Sequence, residues 1–146
     1  VKAARAGKSS GCFLEGTKIR MCDDSLKNIE DIILADFMSE GGVVYTINKS
    51  LVSEIYNYND VMVTGRHAVK ENGKWIRIED SKYAVKEEGI FPVYNLSNQN
   101  HRIITDCGQE FADDDETDLA SKISDKESLE VLNGNGDNRV IMDALI

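Results

Sequence analysis

The sequence predicts an all-β fold for most of the chain, and three observations support this prediction. Short runs rich in β-branched and aromatic residues recur from Phe13 to about Phe111. Clusters of turn-forming residues separate these runs, at positions 22–25, 57–60, 71–73 and 106–108. Within this region only the stretch SLKNIEDIILADF indicates a helical turn. Many short strands at close spacing are typical of a sandwich or a barrel-like body.

The predicted strands follow from the β-prone composition of each run. They are Thr17–Met21, Gly42–Asn48, Leu51–Asn57, Asp60–Thr64, Lys74–Ile78, Phe91–Leu96 and Arg102–Thr105. Pro92 is the single proline of the chain, and we predict it at the entrance of a strand because proline cannot donate to a strand ladder.

The two ends of the chain differ from this body in composition. Residues 1–11, VKAARAGKSSG, are small, basic and typical of a flexible linker. Residues 113–146 are acidic, and leucines and isoleucines recur there at roughly helical intervals. We therefore predict an upstream flank at 1–11, an all-β domain at 12–112 and a short acidic, partly helical C-terminal appendage at 113–146. Because the chain begins with Val1 rather than Met, we expect it to be a fragment or a processed piece.

Composition and charge narrow the classes of partner. The chain has 146 residues, the size of one domain, with a formal net charge of −9 from 26 acidic and 17 basic side chains. Nucleic-acid binding requires clustered Lys and Arg, so this balance argues against such a partner. Because no apolar run approaches membrane-spanning length, we also expect no membrane partner.

The cysteines and histidines limit the chemistry further. Cys12, Cys22 and Cys107 are an odd number with no CxxC pair, so one thiol stays free in any disulfide scheme. We therefore expect a reducing, cytoplasmic setting, or a place in a larger precursor assembled there. With two histidines and no clustered ligands, we predict neither a metal site nor a cofactor.

Cys12 is the first candidate for a reactive group, because it follows the flexible approach Ser9-Ser10-Gly11. A thiol can attack the peptide bond on its own N-terminal side and convert that amide into a thioester, an N-to-S acyl shift. Gly11 suits this reaction because it has no Cβ to obstruct the sulfur and adopts backbone angles that other residues avoid. An isolated cysteine is more often simply a buried core residue.

The second candidate lies in the stretch VMVTGRHAV, residues 61–69. His67 can donate a proton to a departing amine near neutral pH, and the hydroxyl of Thr64 can orient the imidazole or the scissile amide. Taken alone, this pair is compatible with an ordinary hydrogen-bonded histidine. His101 is the only other histidine that could take the role.

Several motifs occur in one order along the chain, and together they resemble a known family. They are GCFLEGTKI, KNIEDI, VTGRHAV, NGKWIRIED and VYNLSNQNHRIITDCGQEF. This order is similar to that of the Hint superfamily, which includes inteins, bacterial intein-like domains and the Hedgehog autoprocessing domain. The resemblance covers about residues 11–113.

The resemblance implies a horseshoe-like all-β fold that brings both ends of the domain together. Cys12 matches the first-residue nucleophile, and Gly11 would supply the carbonyl of the scissile bond. Thr64 and His67 fall on the family's Thr-x-x-His pair. His67 would hydrogen-bond to the amide nitrogen of Cys12 and then protonate it, with Thr64 supporting that geometry. His101 would lie near the same centre and assist later proton transfers.

The chain departs from the pattern of splicing inteins at its C-terminal end. Ala112 takes the position of the penultimate histidine, and Asp113 takes the position of the asparagine that cyclises. The next residue, Asp114, has no hydroxyl or thiol to accept a transferred chain. Asn95 stands where splicing inteins often carry aspartate. We therefore expect cleavage at the N-terminal junction rather than splicing, with Asn95, Cys107 and Asp113 as accessory candidates.

The resulting prediction is a single-turnover, autoproteolytic domain that acts in cis through a cysteine. Its substrate would be its own flanking polypeptide, with water, a small thiol or an amine as the external nucleophile. Cys107 would be either an incidental turn residue or a second thiol near the centre. The alternative is a catalytically degenerate Hint fold that serves as a structural or interaction module. The missing C-terminal His-Asn pair and the acidic tail, which ends in RVIMDALI, favour that alternative.

Overall fold

The computed structural model describes residues 11–117, so the predicted flank and most of the predicted appendage lie outside the described residues. The described chain consists mainly of strands, which confirms the all-β prediction. The strands are β1 Phe13–Leu14, β2 Lys18–Arg20, β3 Leu26–Asn28, β4 Phe37–Met38, β5 Gly42–Tyr58, β6 Val61–Val63, β7 Ala68–Glu71, β8 Lys74–Arg77, β9 Ala84–Asn98, β10 Arg102–Ile104 and β11 Glu110–Ala112.

Helical structure within the described part is confined to three short turns. Two are 3₁₀ turns, Ile29–Asp31 and Ile78–Asp80, and the third is the four-residue helix α1, Asp114–Thr117. Ile29–Asp31 is the helical turn predicted within SLKNIEDIILADF, although that stretch also supplies β3 and β4. No helix between residues 11 and 117 is long and apolar enough to cross a membrane.

The strands form one five-stranded sheet and two smaller sheets. The largest has the order β4-β5-β6-β1-β9, with β5 and β9 also paired to each other. The four-stranded sheet has the order β10-β11-β7-β8, and β2 and β3 form the third sheet. β1 lies between β6 and β9, where Phe13 pairs with both Val63 and Tyr94. The start of the domain is therefore held in the middle of the largest sheet.

β5 and β9 form a long antiparallel ladder that runs from the Val44–Asn98 pair to the Tyr58–Ala84 pair. The prediction of separate strands at Gly42–Asn48 and Leu51–Asn57 is therefore wrong, because β5 continues through the polar residues between them. Pro92 lies opposite Leu51 inside β9 rather than at a strand entrance. The ladder tolerates it next to a register irregularity between Val52 and Glu54.

The four predicted turns all connect antiparallel strands in the structure. They join β2 to β3, β5 to β6, β7 to β8 and β10 to β11. Asn59 and Asp60 adopt positive φ angles of 50° and 70° in the β5–β6 turn, a conformation that Asn and Asp tolerate better than most residues.

The main core lies where β1 meets the four-stranded sheet. Phe13 and Phe111 are fully buried, and their ring centroids lie 5.0 Å apart in an edge-to-face arrangement. Burying each phenylalanine contributes about 2–3 kcal/mol. Because Phe13 directly follows Cys12 and Phe111 directly precedes Ala112, this contact fixes both ends of the predicted domain side by side.

Candidate functional site

Cys12 immediately precedes β1, and Thr64 immediately follows the neighbouring strand β6. The backbone N–H of Cys12 donates to Thr64 Oγ1 at 3.0 Å. In return, the backbone N–H of Thr64 donates to the carbonyl oxygen of Cys12 at 3.1 Å. The peptide groups on both sides of the Cys12 α-carbon are therefore held by one residue.

The thiol of Cys12 is almost completely buried, with 1% of the residue exposed. The side-chain amide of Asn95 on β9 donates to Cys12 Sγ at 3.6 Å. Burial, with a smaller contribution from the nearby carboxylate of Asp114, raises the pKa of Cys12 to about 12, although the Asn95 contact acts to lower it. The thiol is consequently protonated at neutral pH.

His67 immediately precedes β7 and is fully buried. Its ring lies between Phe13 and Phe111, with centroid distances of 4.7 Å and 5.0 Å. Nε2 lies 2.8 Å from the carbonyl oxygen of Ala112. Because a carbonyl only accepts, Nε2 carries the proton of the neutral ring. Nδ1 then offers a lone pair, and it is buried without a hydrogen-bond partner among the described residues.

Burial also determines the charge of His67. It lowers the pKa of His67 to about 4, although the backbones of Ala112 and Cys12 partly oppose this shift and the charge of Arg77 adds to it. The imidazole is therefore neutral at pH 7. In the structure the Thr64 hydroxyl accepts the N–H of Cys12 and the ring N–H of His67 is directed to Ala112, so a bond from His67 to the amide nitrogen of Cys12 stays a prediction.

Gly11 is buried directly against the imidazole of His67. A Cβ atom at position 11 would lie 2.7 Å from Cδ2, 2.8 Å from Nε2 and 3.0 Å from Cγ of that ring. The peptide bond between Gly11 and Cys12 therefore lies next to both His67 and Thr64.

The C-terminal part of the site is a buried hydrogen-bond cluster around Asp113. Asp113 Oδ2 lies 2.8 Å from Nδ1 of His101 and accepts the backbone N–H of Asn98 at 3.0 Å. The backbone N–H of Asp113 donates to the carbonyl oxygen of His101 at 3.3 Å. Ala112 connects this cluster to His67. His101 thus contacts Asp113, at the opposite junction from the Cys12 thiol.

The chain resembles known proteins in structure but not in sequence. No sequence-family profile matches the chain, and no curated protein matches it. The structure is similar to the solution structure of a bacterial intein-like domain from Clostridium thermocellum, with a TM-score of 0.63 and 14% identity over 72% of this chain and 100% of that chain. The chain has the Hint fold.

Two inteins show the same similarity at lower scores. The gp41-1 intein matches with a TM-score of 0.54 and 14% identity, over 72% of this chain and 100% of that one. The M86 variant of the Ssp DnaB mini-intein matches with a TM-score of 0.54 and 12% identity, over 72% of this chain and 96% of that one. At these identities the likeness concerns the fold, and it confirms the fold that the motif order predicted.

Within this Hint fold, one group of side chains between residues 11 and 117 has the spacing of metal ligands. The ligand atoms of His101, Asp113 and Asp115 all lie within 4.8 Å of one another. Asp113 Oδ2 already faces two donors, and a carboxylate oxygen of Asp115 accepts the hydroxyl of Tyr45. The hydrogen bonds of the fold therefore account for this arrangement without a metal.

The remaining two cysteines differ from Cys12 in exposure. Cys22 and Cys107 are exposed free thiols. Cys107 lies in the β10–β11 turn, where its Sγ is 3.4 Å from Oδ1 of Asp106. The role of Cys107 as a second thiol stays a prediction.

Two residues of the site were not predicted from the sequence: Asn98, whose backbone N–H donates to Asp113, and Arg77. Arg77 is fully buried in β8 and donates through Nη1 to the carbonyl oxygens of Arg66 and Thr117, at 3.1 and 2.9 Å. The period-2 alternation of β8 could have found it, because Trp75 and Arg77 point to the same face and Trp75 is a buried aromatic residue. Arg77 places a positive charge close enough to affect His67.

Proposed function

We propose that this Hint domain processes its own chain by an N-to-S acyl shift at the Gly11–Cys12 bond, followed by N-terminal cleavage. One observation carries the proposal: Thr64 holds the backbone of Cys12 on both sides while His67 packs against Gly11, all in one buried site. The structural neighbours named as inteins and as an intein-like domain support a self-processing role in general.

The first step transfers the acyl group of Gly11 from nitrogen to sulfur. Cys12 Sγ attacks the carbonyl carbon of Gly11, the new S–C bond forms, and the C–N bond to Cys12 breaks. The thiol proton finishes on the freed amine, so the step is balanced without another reactant. Since the pKa of Cys12 is about 12, the thiol loses its proton during the attack rather than before it.

His67 is the group best suited to move that proton. Its neutral ring offers a lone pair at Nδ1, while Nε2 stays bonded to Ala112. Once protonated, an imidazolium with a pKa of about 4 is a stronger acid than an ordinary imidazolium, so it gives its proton readily to the departing nitrogen of Cys12. Thr64 keeps this nitrogen in place through the bond to Oγ1.

The second step resolves the thioester. Water, a small thiol or an amine attacks the Gly11 carbonyl carbon, the C–S bond to Cys12 breaks, and the upstream segment is released. The proton of the nucleophile passes to the Cys12 thiolate, whose pKa is about 12. We do not propose splicing, because the junction after Asp113 lacks the groups for it. Ala112 has no side-chain proton donor, the carboxylate of Asp113 is tied to His101 and Asn98, and Asp114 offers no hydroxyl or thiol.

The alternative is a Hint fold retained as a structural or interaction module. The burial of the Cys12 thiol and its raised pKa favour this alternative, because buried cysteines in apolar surroundings are generally inert.

Intact mass spectrometry of the full chain, carrying a reporter protein before Val1, separates the two functions. Self-processing predicts release of the reporter together with residues 1–11 at neutral pH, faster with dithiothreitol. Cys12→Ala abolishes the release, and Cys22→Ala, which changes an exposed cysteine, is the matched control and leaves it unchanged. A folded fusion that stays intact for days in dithiothreitol contradicts self-processing and supports the module.

A further inference from the structure

We propose that the imidazole of His67 is a steric filter that admits only glycine immediately before Cys12. This inference rests on the proposed function and adds the substrate class to it: segments that end in glycine. His67 would then select the acyl group in addition to moving a proton.

The contact between position 11 and the ring leaves no space for a side chain. A Cβ there would come within 2.7 Å of His67 Cδ2 and 2.8 Å of Nε2, closer than the 3.0 Å below which real Cβ contacts essentially never occur. Even alanine, the smallest side chain, therefore requires something to move.

The His67 ring is poorly able to move. Phe13 and Phe111 flank it at centroid distances of 4.7 and 5.0 Å, and both are fully buried. Nε2 is fixed to the carbonyl oxygen of Ala112 at 2.8 Å. Because protein interiors are close-packed, a displaced ring would have to push into the aromatic core. It would also lose the hydrogen bond that sets its tautomer.

The backbone of Cys12, which follows position 11, is constrained as well. Moving position 11 away from the ring pulls on Cys12, whose N–H and carbonyl are both bonded to Thr64. A side chain at position 11 therefore shifts either the proton carrier or the scissile bond. A misplacement of about 1 Å in a reacting group can reduce a rate about a hundredfold.

The first test varies the residue at position 11 in the full chain with the upstream reporter. We expect Gly11→Ala to release the reporter about a hundredfold more slowly than the native sequence, and Gly11→Val to release none detectably. Gly108→Ala is the control for a glycine replacement that brings backbone strain without a clash, because its φ is 86° but its Cβ would meet nothing within 4 Å. Release by Gly11→Ala at the native rate overturns the filter.

The second test measures the contact without using cleavage. Urea unfolding is followed in the uncleavable Cys12→Ala chain, with Gly11→Ala introduced beside either His67 or His67→Ala. We expect Gly11→Ala to lower the unfolding midpoint clearly when the ring is present and only slightly when it is absent. Equal shifts in both backgrounds overturn the filter.

The two tests separate this inference from the proposed function. If the native chain releases no reporter but the ring-dependent shift is seen, self-processing fails and the selective contact with glycine stands. If the native chain cleaves and Gly11→Ala cleaves equally well, self-processing stands and the filter fails.

Discussion

The two ends of the described Hint fold, at Cys12 and at Asp113, meet at one point of the structure but differ in chemistry. At the N-terminal junction, a thiol, a hydroxyl and a neutral imidazole surround the Gly11–Cys12 bond. At the C-terminal junction, Asp113 is bound to His101 and to the backbone of Asn98. The bond from His67 Nε2 to the carbonyl oxygen of Ala112 connects the two.

The difference lies in the groups that each end offers: the end at Cys12 has a thiol and a neutral imidazole, and the end at Asp113 has a carboxyl group. Cyclisation needs a side-chain amide nitrogen as nucleophile, and the carboxylate of Asp113 has none. The same carboxylate is an excellent acceptor for the two donors that face it. Asp113 therefore fits a buried hydrogen-bond cluster better than a cleavage site.

The largest effect on this comparison is expected from Asp113→Ala. Removing the carboxyl group deprives two buried groups, the ring of His101 and the N–H of Asn98, of this partner. We therefore expect the free energy of unfolding to fall by about 1–3 kcal/mol for each of the two. Urea unfolding followed by the fluorescence of Trp75, the single tryptophan, measures this loss.

Asp115→Ala is the matched control for that loss. The Asp115 side chain accepts from the exposed hydroxyl of Tyr45, so its removal should cost below about 1 kcal/mol. Equal losses for the two variants would refute the structural role of Asp113.

A smaller change in the free energy of unfolding is expected from the protonation of His67 at low pH. The pKa of His67 is about 4 in the folded state and 6.5 in the reference state. Between these values the unfolded chain binds the extra proton, so stability is lost as pH falls from 6.5 to 4, by about 3 kcal/mol in all. His67→Gln should lack this contribution.

The measurement compares the free energy of unfolding at pH 7 and pH 4 for both proteins. Titrations elsewhere in the chain are common to the two proteins and cancel in the difference. Parallel pH dependences would show that His67 is not buried in its neutral form.

The smallest effect is expected from Thr64→Val, which keeps the shape of the side chain but removes the acceptor for the N–H of Cys12. We expect a loss of about 1–2 kcal/mol in unfolding free energy and about tenfold slower reporter release. Thr64→Ser restores the acceptor and should recover most of the rate. If serine and valine behave alike, the hydroxyl has no part in holding the scissile bond.

Much of this architecture could be predicted from local sequence. The turns were predictable because Asn, Asp and Gly favour the backbone angles that turns require. Cys12, Thr64 and His67 were identified as one group from their motifs, and the structure brings them together with Asn95. Their catalytic roles stay predictions.

The remaining features depend on long-range packing, which local sequence does not encode. The partner of the His67 ring is a backbone carbonyl 45 residues away, and a carbonyl leaves no trace in residue identity. β5 continues through exposed polar residues because β9 pairs with it along its length, although those residues locally resemble a break between two strands. Asn98 acts through its backbone N–H, so residue type did not indicate it.

The residues of the site come from distant parts of the chain, and this determines when the site can form during synthesis. Cys12 meets Thr64 across 52 residues and Asn95 across 83, while β11 supplies the carbonyl that orients His67. A ribosome makes the chain from the N-terminus, so Cys12 emerges well before Ala112. The buried site around Cys12 is therefore complete only after β11 has been synthesised and packed. If the chain processes itself as proposed, translation sets the earliest moment at which the Gly11–Cys12 bond can break.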